Sequence, residues 1–195
     1  MAIRQPRARI EAPRRPTGQS RYHGVRMTPE QFLALPEQKP YLEYVHGVVL
    51  QKPMPNSQHR KLVGRLDFAF GLYQQEHGGS FGPEGRVRLG TSPEYRLPDT
   101  AFWAPGRPSG DDSVPTLAVE VRSPGQTVVE LHEKCRFFRA NGVDSCWLID
   151  PDARTAELFE ARDDGRPLPA SGSLTAASLP GFALPLEELF AVLED

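Results

Sequence analysis

The chain has 195 residues and a net charge of −2, and 38% of its residues are hydrophobic. This length is sufficient for one domain with a substantial hydrophobic core. No apolar run is long enough to cross a bilayer, so the sequence excludes a membrane-spanning protein and predicts no membrane partner.

The charge is distributed unevenly along the chain. Residues 1–21 contain six arginines and one glutamate, a net charge of +5, so the remainder carries −7. With several prolines and no apolar period, the composition predicts a flexible Arg/Pro-rich leader over residues 1–26, either simply disordered or able to gather phosphates. The leader has no signal-peptide core, and Cys135 and Cys146 have no metal-ligand spacing, which indicates reduced core cysteines in a cytoplasmic protein.

The first predicted elements are a short helix and a hairpin. Thr28-Pro29 has the residues of an N-cap and a first helical position. Residues 43–50 read as two short strands that turn at His46-Gly47. A longer amphipathic helix is predicted over residues 57–77, and His59 lies at its start near the buried face.

Two acidic residues lie on the strands that follow. A strand is predicted over residues 95–103, and Pro98 marks an edge, a bulge or a strand entry just before Asp99. Residues 115–122 alternate with the period of a half-buried strand, and Glu120 lies opposite its hydrophobic face. Two carboxylates brought together in this way repel, and a divalent cation would neutralise them. Taken alone, Asp99 could be a turn residue and Glu120 a solvated one.

The next helix carries a lysine close to the core. A capping box over residues 127–130 opens this helix. Lys134 lies three residues after Leu131 and four before Phe138, on or beside the inward-facing stripe, which is an unusual position for a lysine without a function. A buried strand is predicted next, over residues 146–149.

The order of helix, three strands, helix and strand, with an acid on the second strand and another on the third, is the common core order of PD-(D/E)xK nucleases. The chain resembles the Uma2 family (DUF820) of restriction endonuclease domains. The resemblance covers residues 27–193 and implies a single α/β domain with a restriction-endonuclease-like core, a mixed central sheet flanked by helices. Its motifs are Glu43 before the His46-Gly47 turn, His59, Pro98-Asp99, Val119 to Pro124, Lys134, Gly142-Val143 and Trp147 to Pro151.

The resemblance implies a Mg²⁺-dependent nuclease site, with Mn²⁺ as a substitute. Asp99 would bridge the metal, Glu120 would supply a second carboxylate, and Val121 would supply a backbone carbonyl. Lys134 would orient the attacking water or help to deprotonate it, and Glu43 would contact the metal through water. Such roles agree with the preference of Mg²⁺ for oxygen ligands and with its ability to activate a bound water.

The lysine is displaced relative to the simple nuclease motif, which has lysine two residues after the acid. This chain has Arg122 there, and arginine is effectively always protonated, so it is a poor proton acceptor. In the Uma2 pattern the lysine lies on the following helix, which is why Lys134 is the predicted basic group. Arg122 is then a candidate phosphate contact or an ion-pair partner of a site acid. His59 is either a substrate contact or a polar residue at a helix start.

The predicted function is that of a metal-dependent DNA endonuclease. A homodimer would suit cleavage of both strands, because a two-fold protein presents two equivalent sites to a duplex. The remainder of the chain is acidic, so affinity for DNA would have to come from a local patch, the leader or dimerisation. The alternatives are a non-catalytic nucleic-acid-binding or structural module with the nuclease fold, and a hydrolase of another phosphate-bearing substrate.

Overall fold

The computed structural model describes residues 18–83, 87–88, 92–110, 113–160 and 164–194, with residues 87–88 described by their backbone alone. In these ranges the helices are α1 (Pro29–Leu33), α2 (Ser57–His77), α3 (Val128–Ala140) and α4 (Leu186–Ala191). The strands are β1 (Leu42–Val45), β2 (Val48–Gln51), β3 (Ser80–Pro83), β4 (Val87–Arg88), β5 (Tyr95–Arg96), β6 (Thr100–Trp103), β7 (Leu117–Val121), β8 (Ser145–Asp150), β9 (Thr155–Phe159), β10 (Arg166–Pro167), β11 (Ser173–Leu174) and β12 (Leu184–Pro185). Within the same ranges no helix has the length and apolar character needed to cross a membrane.

A mixed six-stranded sheet forms the centre of the fold, in the order β10-β9-β8-β7-β6-β3. Strands β7 and β8 are parallel, with Val119 opposite Trp147, whereas β7 and β6 are antiparallel. Parallel neighbours need a crossover connection, and α3 supplies it. Along the chain, α2, β3, β6, β7, α3 and β8 give the predicted order of helix, three strands, helix and strand, once β4 and β5 of the smaller sheet, which lie between β3 and β6, are left out.

The segment predicted as one strand over residues 95–103 is two strands in two sheets. Strand β5 belongs to a smaller sheet of order β2-β1-β5-β4, whereas β6 belongs to the central sheet. Pro98 lies in the break between them. Because proline has no N–H to donate to a strand ladder, it suits the point where the chain passes from one sheet to the other. The predicted interruption at Pro98 is confirmed, and it leaves Leu97 and Asp99 outside both strands.

Buried clusters cover both faces of β7. Val119 belongs to a cluster that includes Phe70 of α2, and Ala118 belongs to a second cluster that includes Phe138 of α3. All five residues of β7 are buried. The prediction of a half-buried strand is therefore wrong. The alternation in β7 separates a fully apolar face from a face that carries Glu120, and α3 packs over that second face.

The capping residues predicted at the start of α3 make the expected hydrogen bonds. Thr127 accepts a hydrogen bond from the backbone N–H of Glu130, and the Glu130 side chain bonds back to the Thr127 backbone, so the predicted capping box is present.

Cys135 and Cys146 are free and buried, with Sγ atoms 3.1 Å apart. Their prediction as reduced core residues agrees with this geometry.

Residues 18–26, which the sequence places in the leader, are bonded to the first hairpin. The N–H of Gly24 donates to the Val49 carbonyl over 2.8 Å. Ordered structure thus begins before Met27. The sequence does not predict it because backbone hydrogen bonds, which hold this segment, require no periodic pattern of side chains. Residues 1–17 of the predicted leader lie outside the described residues.

Candidate active site

One cleft brings together most of the charged side chains that the sequence singles out, and it adds Lys52 to them. Both sheets and two helices contribute to its lining: Glu43 on β1, Lys52 after β2, His59 on α2, Asp99 before β6, Glu120 on β7 and Lys134 on α3. Five of these residues are buried, and the side chain of Glu43 is 13% exposed. Charges removed from water in this way must be paired.

The break at Pro98 organises the pairing through the backbone of Leu97. The Leu97 N–H donates to Glu43 Oε1 over 2.8 Å. The Leu97 carbonyl oxygen accepts from Lys134 Nζ over 2.8 Å and from Lys52 Nζ over 3.1 Å. Because Leu97 lies in neither strand, both of its backbone groups are available to side chains, and they hold one carboxylate and two ammonium groups at the cleft.

Asp99 is held on both carboxylate oxygens. Its Oδ2 accepts from the backbone N–H of Val121 over 2.8 Å and lies 3.0 Å from His59 Nε2. Its Oδ1 lies 2.9 Å from Lys52 Nζ. Burial opposes ionisation, but the Lys52 ammonium and the hydrogen bond with His59 hold the pKa of Asp99 far below its usual range. Asp99 is therefore ionised at every physiological pH.

His59 reaches Asp99 because of the way α2 begins. The Asn56 side chain caps this helix by accepting from the His59 backbone N–H over 2.8 Å. The cap places His59 in the first turn of α2, and its imidazole is buried against Asp99. The predicted substrate contact by His59 thus remains a prediction, since the structure shows a contact with a site acid.

Lys134 joins two carboxylates from different sheets. Its Nζ lies 2.7 Å from Glu43 Oε1 and 3.0 Å from Glu120 Oε1. Burial would lower the pKa of Lys134, but the charges of Glu120 and Glu43 raise it well above its usual value. The pKa of Glu43 is lowered, because the attraction of Lys134 and Lys52 outweighs the opposing effect of burial. Lys134 therefore keeps its proton and Glu43 stays ionised.

For Glu120, in contrast to Glu43, the effect of burial on the pKa outweighs the attraction of the lysines. Burial, reinforced by the charge of Asp99, raises the pKa of Glu120 to about 8 in spite of Lys134. Its Oε1 is buried and accepts no hydrogen bond from the described residues, although Lys134 Nζ is close. Glu120 is the carboxylate of this cleft whose charge is least compensated.

The carboxylate oxygens of this cleft are ligands of the kind that a hard divalent cation prefers. Mg²⁺ takes oxygen ligands and keeps several waters, and Glu120 Oε1 is such an oxygen, buried without a hydrogen bond from the described residues but 3.0 Å from Lys134 Nζ. Among the described residues, no group of three or more His, Cys, Asp or Glu side chains is arranged to hold a metal ion. The lysines neutralise much of the carboxylate charge in this arrangement, so a cation would compete with Lys52 and Lys134 for the same oxygens.

The structure pairs Arg122 with an acid that does not line the cleft. Its Nη1 lies 2.7 Å from Asp150 Oδ2, and its Nε donates to the Gln126 carbonyl. Arg122 is thus the partner of an acid at the end of β8 and not of Asp99, Glu43 or Glu120. Its predicted role as a phosphate contact remains untested by this geometry.

Sequence reasoning missed Lys52, although the predicted hairpin contained a signal for it. In the hairpin Glu43 lies opposite Leu50. Opposed residues share a face and so do residues two apart, which puts Lys52 on the face of Glu43. A lysine on the same face as a candidate site acid could have been included on that ground.

Comparisons with known proteins give a family match and a fold match. The model of the Uma2 family, described as "Putative restriction endonuclease", matches residues 29–187. A solved structure, a "putative nuclease belonging to DUF820" from Anabaena variabilis, superposes with a TM-score of 0.77 at 22% identity and covers 86% of this chain and 99% of its own. No curated protein matches the sequence. The structural likeness confirms the predicted nuclease-like α/β fold.

Proposed function

The chain belongs to the Uma2 family of "Putative restriction endonuclease" domains, and from this membership we propose that it is a metal-dependent DNA endonuclease that hydrolyses phosphodiester bonds. Asp99, Glu120 and Lys134 are the proposed catalytic residues, with Glu43 beside them. Mg²⁺ is the proposed cofactor, and Mn²⁺ is its substitute in an assay.

One observation carries this proposal. Three carboxylates and two lysines, from separate elements of both sheets and α3, converge on a single cleft. In a simple structural ion pair each charge has its own partner. Here Glu43 and Glu120 share the Lys134 ammonium, and Glu120 Oε1 is buried without a hydrogen bond from the described residues. Strongly perturbed pKa values in a cleft, such as those of Glu120 and Asp99, are typical of functional sites.

Each residue has a role that follows from its contacts. A bound divalent cation would supply charge to the phosphate and acidify a water. Glu120 and Asp99 would hold the cation, with the Val121 carbonyl as the third protein ligand. Lys134 keeps its proton, so it would orient the water and stabilise negative charge that develops on the phosphate; it would not accept a proton. Glu43 would fix the position of the Lys134 ammonium.

The proposed substrate is DNA. Phosphate groups would be attracted by the two ammonium groups of the cleft and by the arginines of residues 1–21. Because the rest of the chain carries −7, we propose that binding of a duplex is assisted by a homodimer that places two sites on the two strands.

The test is cleavage of single- and double-stranded DNA by the full chain in Mg²⁺ and in Mn²⁺. Asp99→Asn, Glu120→Gln and Lys134→Met are expected to abolish cleavage. Glu133→Gln is the matched control, since this glutamate adjoins Lys134 in sequence but is exposed. DNA left intact by wild-type protein that still binds DNA would contradict the proposal and favour the non-catalytic module. Intact DNA together with hydrolysis of another phosphate ester would instead show a different substrate.

A further inference from the structure

Lys52 is a second buried ammonium group in the cleft, separate from the predicted catalytic lysine. Its Nζ lies 2.9 Å from Asp99 Oδ1 and 3.1 Å from the Leu97 carbonyl oxygen, and its side chain is 8% exposed. The residue reaches this point from the end of the first hairpin, whereas Lys134 approaches from α3. Both ammonium groups bind the same carbonyl oxygen of Leu97.

Asp99 and Glu120 therefore differ in the number of partners that contact their carboxylate oxygens. Every oxygen of Asp99 has a partner: Lys52 on Oδ1, and the Val121 N–H with His59 on Oδ2. Among the described residues, the ion-pair partner of Glu120 is Lys134, whose Nζ lies 3.0 Å from Oε1 and 3.1 Å from Oε2, and Oε1 is buried without a hydrogen bond from these residues. The cleft thus has one carboxylate with partners from three residues and another that shares a single ammonium group with Glu43.

The charges of the cleft limit how many divalent cations it can hold. With Glu43, Asp99 and Glu120 ionised, their three negative charges face the two positive charges of Lys52 and Lys134. One divalent cation would leave the cluster with a single excess positive charge, whereas a second would leave three in a buried site. Uncompensated buried charge is strongly unfavourable.

We propose that the Lys52 ammonium takes the place of a second divalent cation beside Asp99, so that each chain binds one divalent cation. This inference rests on the cation requirement of the proposed function, and it makes Lys52 a positioning residue that holds Asp99. Lys52 also sets the affinity of the cleft for its single cation, because its positive charge opposes that of the ion.

The test is a titration of the full chain with Mn²⁺ in the absence of nucleic acid. Binding is measured by calorimetry and by the electron paramagnetic resonance signal of free Mn²⁺. Wild-type protein is expected to bind one ion. Lys52→Met removes the charge and keeps much of the apolar stem, so the first ion is expected to bind at least about tenfold more tightly. Lys52→Arg keeps the charge and is expected to bind one ion with near wild-type affinity. Lys61→Met is the matched control, since Lys61 lies on α2 outside the cleft lining.

Two ions on each wild-type chain, or a Lys52→Met chain that binds Mn²⁺ no more tightly, would overturn the proposal. Should Lys52→Met fail to fold by circular dichroism, the wild-type stoichiometry and the Lys52→Arg affinity still decide the question. Failure of the proposed function looks different. One Mn²⁺ per chain, tightened by Lys52→Met, with DNA left intact would keep this inference and reject the endonuclease, whereas cleavage with two ions bound would do the reverse.

Discussion

The Lys134 ammonium lies 2.7 Å from Glu43 Oε1, and this ion pair joins α3 to β1 of the smaller sheet. The same ammonium lies 3.0 Å from Glu120 Oε1 in the central sheet. One positive charge thus holds two carboxylates that reach the cleft from different sheets. Without it, two buried negative charges would face each other, and only Lys52 would remain to offset them.

Lys134→Met is expected to impair both folding stability and cleavage. Removing one partner of a buried pair leaves uncompensated charge, so the free energy of unfolding should fall by about 3 kcal/mol. DNA cleavage should fall at least about 100-fold, because the stabilising charge at the phosphate is lost. Urea denaturation and single-turnover cleavage measure the two effects.

Lys134→Arg separates the two roles of Lys134. The guanidinium keeps the charge, so much of the stability should return, but its planar geometry cannot reproduce the contacts of a compact ammonium. Cleavage should therefore remain low. Lys61→Met, with its lysine outside the cleft lining, should leave both quantities near wild type. A Lys134→Met chain with wild-type stability would show that the ion pairs contribute nothing to folding.

Much of the site was predictable because it depends on local signals. The capping box at Thr127 sets the start of α3, and the helical period then places Lys134 on the buried stripe, where the structure has it. Pro98 marks an interruption just before Asp99, and in the structure both residues lie in the break between β5 and β6. These inferences use only neighbours within one or two turns or strands.

The features that sequence reasoning missed depend on distant contacts. The burial of both faces of β7 follows from α3 packing over Glu120, which no alternation of residues reveals. The pairing of Arg122 with Asp150 arises because β7 and β8 are parallel neighbours that end at the same edge of the sheet. The contact of Lys52 with Asp99 joins residues that are 47 positions apart in the sequence.

The stability of the cation-free protein should fall as pH rises through neutrality. Burial raises the pKa of Glu120 to about 8 in the folded protein, whereas the unfolded chain has an ordinary carboxyl of about 4.3. Between these values the folded state keeps a proton that the unfolded state has lost, so the free energy of unfolding decreases with rising pH, by at most about 1.4 kcal/mol per unit. Urea unfolding in chelator between about pH 5 and about pH 8 measures this slope.

Glu120→Gln is the control for that slope. Glutamine does not titrate, so the contribution of Glu120 should vanish in this variant. The wild-type curve is therefore expected to fall more steeply than the Glu120→Gln curve. Parallel curves would mean that Glu120 is already ionised in the folded protein at the lower pH.

Cation affinity should rise with pH over the same interval. If Glu120 holds the divalent cation, it must first lose its proton, so binding releases a proton below the pKa of about 8. The apparent affinity for Mn²⁺ is expected to increase up to about pH 8 and then to level off. Calorimetry in two buffers of different ionisation enthalpy counts the released protons. Affinity that is independent of pH in wild-type protein would exclude Glu120 as the ligand that titrates.

A double-mutant cycle between Arg122 and Asp150 tests the remaining predicted role of Arg122. The two side chains meet at 2.7 Å and are 33% and 15% exposed, so Arg122→Gln and Asp150→Asn should each lower the free energy of unfolding by about 1 kcal/mol. The double variant should lose much less than the sum of the two, because the second change removes a pair that is already broken. Urea denaturation of the four proteins gives the coupling energy.

DNA affinity of the same four proteins separates a structural Arg122 from one that contacts phosphate. If Arg122 only forms the structural ion pair with Asp150, both single variants keep the DNA affinity of wild-type protein. An Arg122 that also binds phosphate gives opposite effects: Arg122→Gln weakens binding, whereas Asp150→Asn strengthens it by freeing the guanidinium and removing a negative charge. Because Asp150 and the Gln126 carbonyl already engage this guanidinium, we expect affinities close to wild type. Opposite shifts in the two variants would restore the phosphate contact that the sequence predicts.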